Sequence, residues 1–170
     1  MGTLPGRLGL LRARDVMTKV VITLNESDSI QSAVELLKEH HITGAPVVGD
    51  QGRFVGILSL SDLARKTTDA ETADTSPDAP LAHGEDTTSW ELFEHALPLD
   101  EATGVEQVGQ RMSRRVTSVT GDAPIVEVAR AMCDGHWHRV PVVDPQGSLC
   151  GIISTMDILA ALVNTADEAD

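Results

Sequence analysis

The chain repeats itself, and this constrains its fold more than any other feature. Residues 14–64 superpose on 109–159 at a constant offset of 95 with no gap, and 13 of the 51 aligned positions are identical. Met17, Val21, Ile30 and His41 fall on Met112, Val116, Ile125 and His136. Pro46-Val47-Val48 falls on Pro141-Val142-Val143, Gln51-Gly52 on Gln146-Gly147, and Gly56-Ile57 on Gly151-Ile152. Ser59 and Asp62 fall on Ser154 and Asp157. A repeat of this size cannot bury its apolar faces alone, so the two units are expected to pack face to face.

Each copy carries the same succession of signals. A β-rich run opens it, at 20–24 and at 116–119. A polar break follows at Asp28-Ser29, or at Asp122-Ala123-Pro124, as suits a helix start. Ile30, Ala33, Val34 and Leu37 then recur at i, i+3, i+4 and i+7, matched by Ile125, Val128, Ala129 and Met132. That spacing predicts an amphipathic helix with one buried stripe. Two short apolar strands come next, joined by GDQG or DPQG, and a second helix starts near Ser59 or Ser154. The predicted fold class is α/β (α+β): two β-α-β-β-α repeats in pseudo-two-fold symmetry. Only four aromatics occur (Phe54, Trp90, Phe93 and Trp137), so the core is aliphatic.

The sharpest local motif is Gly56-Ile-Leu-Ser59-Leu-Ser61-Asp62, repeated as Gly151-Ile-Ile-Ser154-Thr-Met156-Asp157. One reading is a helix cap, with Ser at the N-cap and Asp at N3, contributing about 1 kcal/mol to each helix. The other reading is a ligand site. A helix start offers backbone N–H groups to an anion, Ser can donate to a phosphate oxygen, and Asp can accept from both hydroxyls of a ribose. A single copy favours the cap. Two copies at one offset, each behind a Pro-Val-Val strand, favour the ligand.

The combined pattern, with Met-Thr ahead of the first strand, Pro-Val-Val in the second and Gly-Ile-x-Ser-x-x-Asp at the end, resembles the cystathionine-β-synthase (CBS) domain. Two in tandem resemble a CBS pair, or Bateman module. The implied organisation is an N-terminal segment (1–13), repeat 1 (14–64), an acidic connector (65–108), repeat 2 (109–163) and an acidic tail (164–170). The resemblance implies binding of an adenosine-containing ligand, AMP, ADP, ATP or S-adenosylmethionine, with or without magnesium and with no cofactor required. Carried over, the repeat-1 candidates are Val21, Thr23, Ala45, Pro46, Ser59, Ser61 and Asp62. Those of repeat 2 are Val116, Ser118, His138, Arg139, Val140, Pro141, Ser154 and Asp157. It also implies a homodimer and a regulated partner protein that reads a ligand-dependent conformation.

The copies are not equivalent. Repeat 2 has His138-Arg139 where repeat 1 has Thr43-Gly44, and an Arg there can hold a phosphate through two N–H groups. Repeat 2 also has Met156 where repeat 1 has the hydroxyl of Ser61. Repeat 2 is therefore expected to bind a charged nucleotide more strongly. Cys133, His136 and His138 have metal-like spacing but lack a second ligand pair, so no metal site is expected. Cys133 reads instead as a small apolar filler.

Net charge, −13, argues against nucleic-acid and anionic-membrane partners, whose grip needs basic residues. The acidity is local: residues 65–108 carry 2 basic and 11 acidic side chains, while repeat 2 is neutral. A short helix is expected near 89–97 in this connector, either docked on the module or presented to a partner. The first fifteen residues fit neither a signal peptide nor a membrane span, and two cysteines make no disulfide framework, which together predict a cytoplasmic protein. No P-loop, GxGxxG or nucleophile elbow occurs, so no enzyme is expected. The alternatives are a structural dimerisation module with empty sites and, remotely, an enzyme that needs a partner.

Overall fold

The computed structural model describes residues 9–64 and 106–167. In chain order the elements are α1 (Ala13–Val16), β1 (Leu24–Asn25), α2 (Ile30–Glu39), β2 (Gly44–Val48), β3 (Phe54–Ser59) and α3 (Leu60–Ala64). After the connector come α4 (Val108–Arg111), β4 (Val119–Thr120), α5 (Ile125–Gly135), β5 (Arg139–Val143), β6 (Leu149–Ser154) and α6 (Thr155–Asp167). Two three-stranded sheets form, ordered β1-β2-β3 and β4-β5-β6. In each, the opening pair is parallel, with Leu24 opposite Val47 and Val119 opposite Val142. The α/β class read from the sequence is present in both copies. The connector helix expected near 89–97 lies outside the described residues.

The opening strands differ from expectation. Regular pairing covers only Leu24–Asn25 and Val119–Thr120, and Val20, read as strand, is 92% exposed. β-branched residues supplied the strand signal, but among the described residues no neighbouring strand pairs with residues 20–23 or 116–118. Propensity without a partner does not make a sheet.

The helices follow the stripe. Ile30, Ala33, Val34 and Leu37 are buried on α2, and Ile125, Val128 and Met132 on α5. Ser29 caps α2, its side chain accepting from the Ser32 N–H. Cys133 lies one step off the stripe and is exposed, so it is not a core filler. At the ends of α2 and α5, His41 and His136 adopt left-handed φ values of 51° and 52°.

By contact the chain forms two units, and their boundaries cut across the repeats. One unit holds the repeat-2 sheet together with residues up to Val21 and Gly52–Phe54; the other holds the repeat-1 sheet and residues Val55–Val116. In the first, Thr18 and Ile152 exchange both backbone hydrogen bonds (2.9 and 3.0 Å), adding a fourth strand position to β6. In the second, Ser113 and Ile57 do the same at β3 (2.9 and 3.0 Å). Each repeat thus donates its leading segment to the other repeat's sheet. Ala13 of α1 is buried in one core; Val108 and Met112, at α4, are buried in the other.

Gly56 and Gly151 make this approach possible. A Cβ on Gly56 would lie 2.6 Å from the Ser113 carbonyl oxygen, and one on Gly151 would lie 2.8 Å from that of Thr18. Backbone approaches backbone at both sites, so side chains cannot yield to make room.

Candidate functional site

Both Ser-x-x-Asp motifs straddle a strand-to-helix turn, at β3–α3 and β6–α6. In repeat 2 the Ser154 N–H and Oγ both donate to Asp157 Oδ2 at 2.7 Å, and the Asp157 N–H donates to Ser154 Oγ at 3.2 Å. The Thr155 N–H donates to the His138 carbonyl at 3.0 Å. In repeat 1 the Ser59 N–H and Oγ donate to Asp62 Oδ2 at 2.8 and 2.6 Å, and the Leu60 N–H donates to the Thr43 carbonyl at 3.0 Å. Both turns are therefore reciprocal caps. The open row of N–H groups considered from the sequence is largely used by the protein itself: the carboxylate takes the serine N–H, the Thr43 or His138 carbonyl takes the next, and the serine Oγ takes that of the aspartate.

The register of repeat 2 brings its cation to the turn. β5 and β6 are antiparallel with Arg139 opposite Ser154, so the two side chains emerge on one sheet face. Arg139 is exposed, whereas Ser154, Asp157 and His138 are half-buried. At the matching position of repeat 1, Gly44 carries no side chain, and a Cβ there would lie 3.0 Å from the Leu58 carbonyl oxygen.

The other candidates divide. Ala45, Pro46, Val140 and Pro141 lie in the central strands with buried side chains, leaving mainly backbone to offer a ligand. Thr23 and Ser118 sit just ahead of β1 and β4. Val21 groups with the unit of the repeat-2 sheet and Val116 with that of the repeat-1 sheet. Ser61 and Met156 occupy equivalent exposed positions in the first turns of α3 and α6.

One contact was missed by the sequence analysis. Ser113 Oγ donates to Asp62 Oδ1 at 2.8 Å across 51 residues. The available signal was a hydroxyl after Met in both copies, Met17-Thr18 and Met112-Ser113.

Comparison with known proteins now decides the lineage. The CBS domain model matches residues 13–69 and 105–164. The chain belongs to the CBS domain family. It is 29% identical over 167 residues to an uncharacterised protein, MJ1426, of Methanocaldococcus jannaschii, covering 91% of this chain and 92% of that one. The chloroplastic CBS domain-containing protein CBSX2 of Arabidopsis thaliana is 28% identical, over 99% of this chain and 70% of its own. The structure of CBSX2 in complex with AMP superposes with a TM-score of 0.64 at 25% identity, covering 90% and 96% of the two chains. The CBS pair of MJ0100, solved with 5-methylthioadenosine and S-adenosyl-L-methionine, shares the fold at 23% identity, with a TM-score of 0.59 over 91% and 97% of the chains. Two CBS matches in one chain make it a tandem pair. Among the described residues no helix is long and apolar enough to cross a membrane.

Proposed function

We propose that this CBS pair is a regulatory, non-enzymatic module that binds an adenosine-containing ligand, with the repeat-2 turn as the stronger site. The observation that carries this reading is the register of Arg139 opposite Ser154, beside the Asp157 carboxylate. An arginine fork, a hydroxyl and a carboxylate are the three groups a ribose phosphate uses. The AMP complex of CBSX2 supports the choice of ligand class. The ligand shifts the population of conformations that a partner protein reads, and preferring one state by about 1–3 kcal/mol suffices for useful coupling. A homodimer is the assembly we assign, supported by the exposed apolar run of Met156, Leu159 and Val163 along α6.

A scaffold reading is favoured by one observation, the near-complete internal capping of both turns. Thermal denaturation separates the two. At 100 times Kd a nucleotide adds about 2.7 kcal/mol, a rise of roughly 5–10 °C for a chain of this size. No rise with AMP, ADP, ATP or S-adenosylmethionine assigns the chain to the scaffold class.

A further inference from the structure

The two turns share a backbone and differ in how much of the carboxylate remains. Among the described residues Asp62 is the one charged side chain that is buried, at 7% exposure. Its Oδ2 accepts from the N–H and Oγ of Ser59, and its Oδ1 accepts from Ser113 Oγ. Asp157 is half-buried, and both of its accepted bonds fall on Oδ2. Its Oδ1 accepts from no described residue.

The residue equivalent to Ser113 is Thr18, and both make the same pair of backbone bonds to the neighbouring strand. Ser113 is half-buried with its hydroxyl turned onto Asp62; Thr18 is exposed, and its hydroxyl makes no bond among the described residues. Serine lacks the γ-methyl that restricts threonine at χ1, so it can place its hydroxyl where threonine does not. A vicinal diol needs a carboxylate oxygen it can reach. Asp62 Oδ1 keeps one lone pair, but at 7% exposure with Ser113 Oγ lying against it, a diol reaches it only by displacing Ser113 and leaving a half-buried hydroxyl without an acceptor, a loss the ligand must offset.

We infer that Ser113 closes the repeat-1 motif, making it a specificity-determining residue that limits each chain to one adenine nucleotide, held by repeat 2. This rests on the nucleotide-binding reading above. Isothermal titration of the full chain with AMP tests it. Wild-type protein binds one AMP per chain, and Arg139→Ala, at an exposed position the fold tolerates, weakens that binding about tenfold. Ser113→Ala binds a second AMP with lower affinity. Two AMP per wild-type chain, or a folded S113A that still takes only one, overturns the role of Ser113 while leaving the parent reading intact. If S113A does not fold, Ser113→Thr, which carries the equivalent residue Thr18 of the other repeat, replaces it: a folded S113T that still binds one AMP overturns the inference, as does one wild-type AMP insensitive to Arg139. No AMP bound by the wild type overturns both readings together.

Discussion

The repeat-1 and repeat-2 turns are two solutions on one backbone. Each caps a helix with Ser-x-x-Asp, ties the helix start to the carbonyl of the residue just ahead of the central strand, Thr43 or His138, and sits beside a segment contributed by the other repeat. Repeat 1 turns these groups inward: Asp62 is buried and accepts three hydrogen bonds from Ser59 and Ser113. Repeat 2 leaves them outward, with Asp157 half-buried and Arg139 in register with Ser154. The difference teaches that a duplicated motif need not be a duplicated site. Burying a carboxylate behind its donors makes it a structural group; leaving one oxygen accessible keeps it available to a ligand.

Substitutions at paired positions can break or sharpen this comparison. The largest effects belong to the cores, where the copies should behave alike. Leu37→Ala and Met132→Ala, at equivalent buried positions, should each cost about 2–5 kcal/mol. Urea unfolding checks this, and a large disparity would show that one repeat carries most of the stability. Next come the glycines of the added strands. Gly56→Ala and Gly151→Ala should each cost about 1–3 kcal/mol, because the new methyl meets backbone. Unchanged melting temperatures would mean the strand approach is looser than described.

The comparison is sharpest at the carboxylates. Asp62→Asn should cost roughly 1–3 kcal/mol, since it turns one of the two acceptor oxygens of a buried, three-times hydrogen-bonded carboxylate into a donor. Asp157→Asn, in a half-buried cap, should cost only about 1 kcal/mol. Equal losses in chemical denaturation would erase the proposed division between structural and available carboxylate. The smallest effect is expected at the ion pair of Arg14 and Asp122, whose side chains are 58% and 80% exposed. Arg14→Ala should change stability by less than about 0.5 kcal/mol. A larger loss would show that α1 depends on this charge rather than on buried Ala13.

Much of the fold was legible because its signals are local. The i, i+3, i+4, i+7 stripe of Ile30, Ala33, Val34 and Leu37 requires no knowledge of the neighbour that buries it. Ser29 reveals its helix start through a bond three residues away. The Ser-x-x-Asp caps are local for the same reason, and both are present. Strand extent was less legible: Val20 has strong strand propensity, yet among the described residues it pairs with no strand and it is exposed. Cys133 missed its expected burial by a single step around the helix, an error of one residue that exchanges core for solvent.

By itself the sequence determined that the chain is a duplicated α/β module with aliphatic cores and capped helices, and that only repeat 2 has an arginine at the start of its central strand, Arg139 against Gly44. Only the tertiary structure decided which segment completes which sheet, and therefore that Ser113 reaches Asp62 while Thr18 leaves Asp157 open. The physical reason is distance along the chain. Periodicity and capping act over three to seven residues, whereas a hydroxyl placed 51 residues from its carboxylate is positioned only by the packed backbones between them.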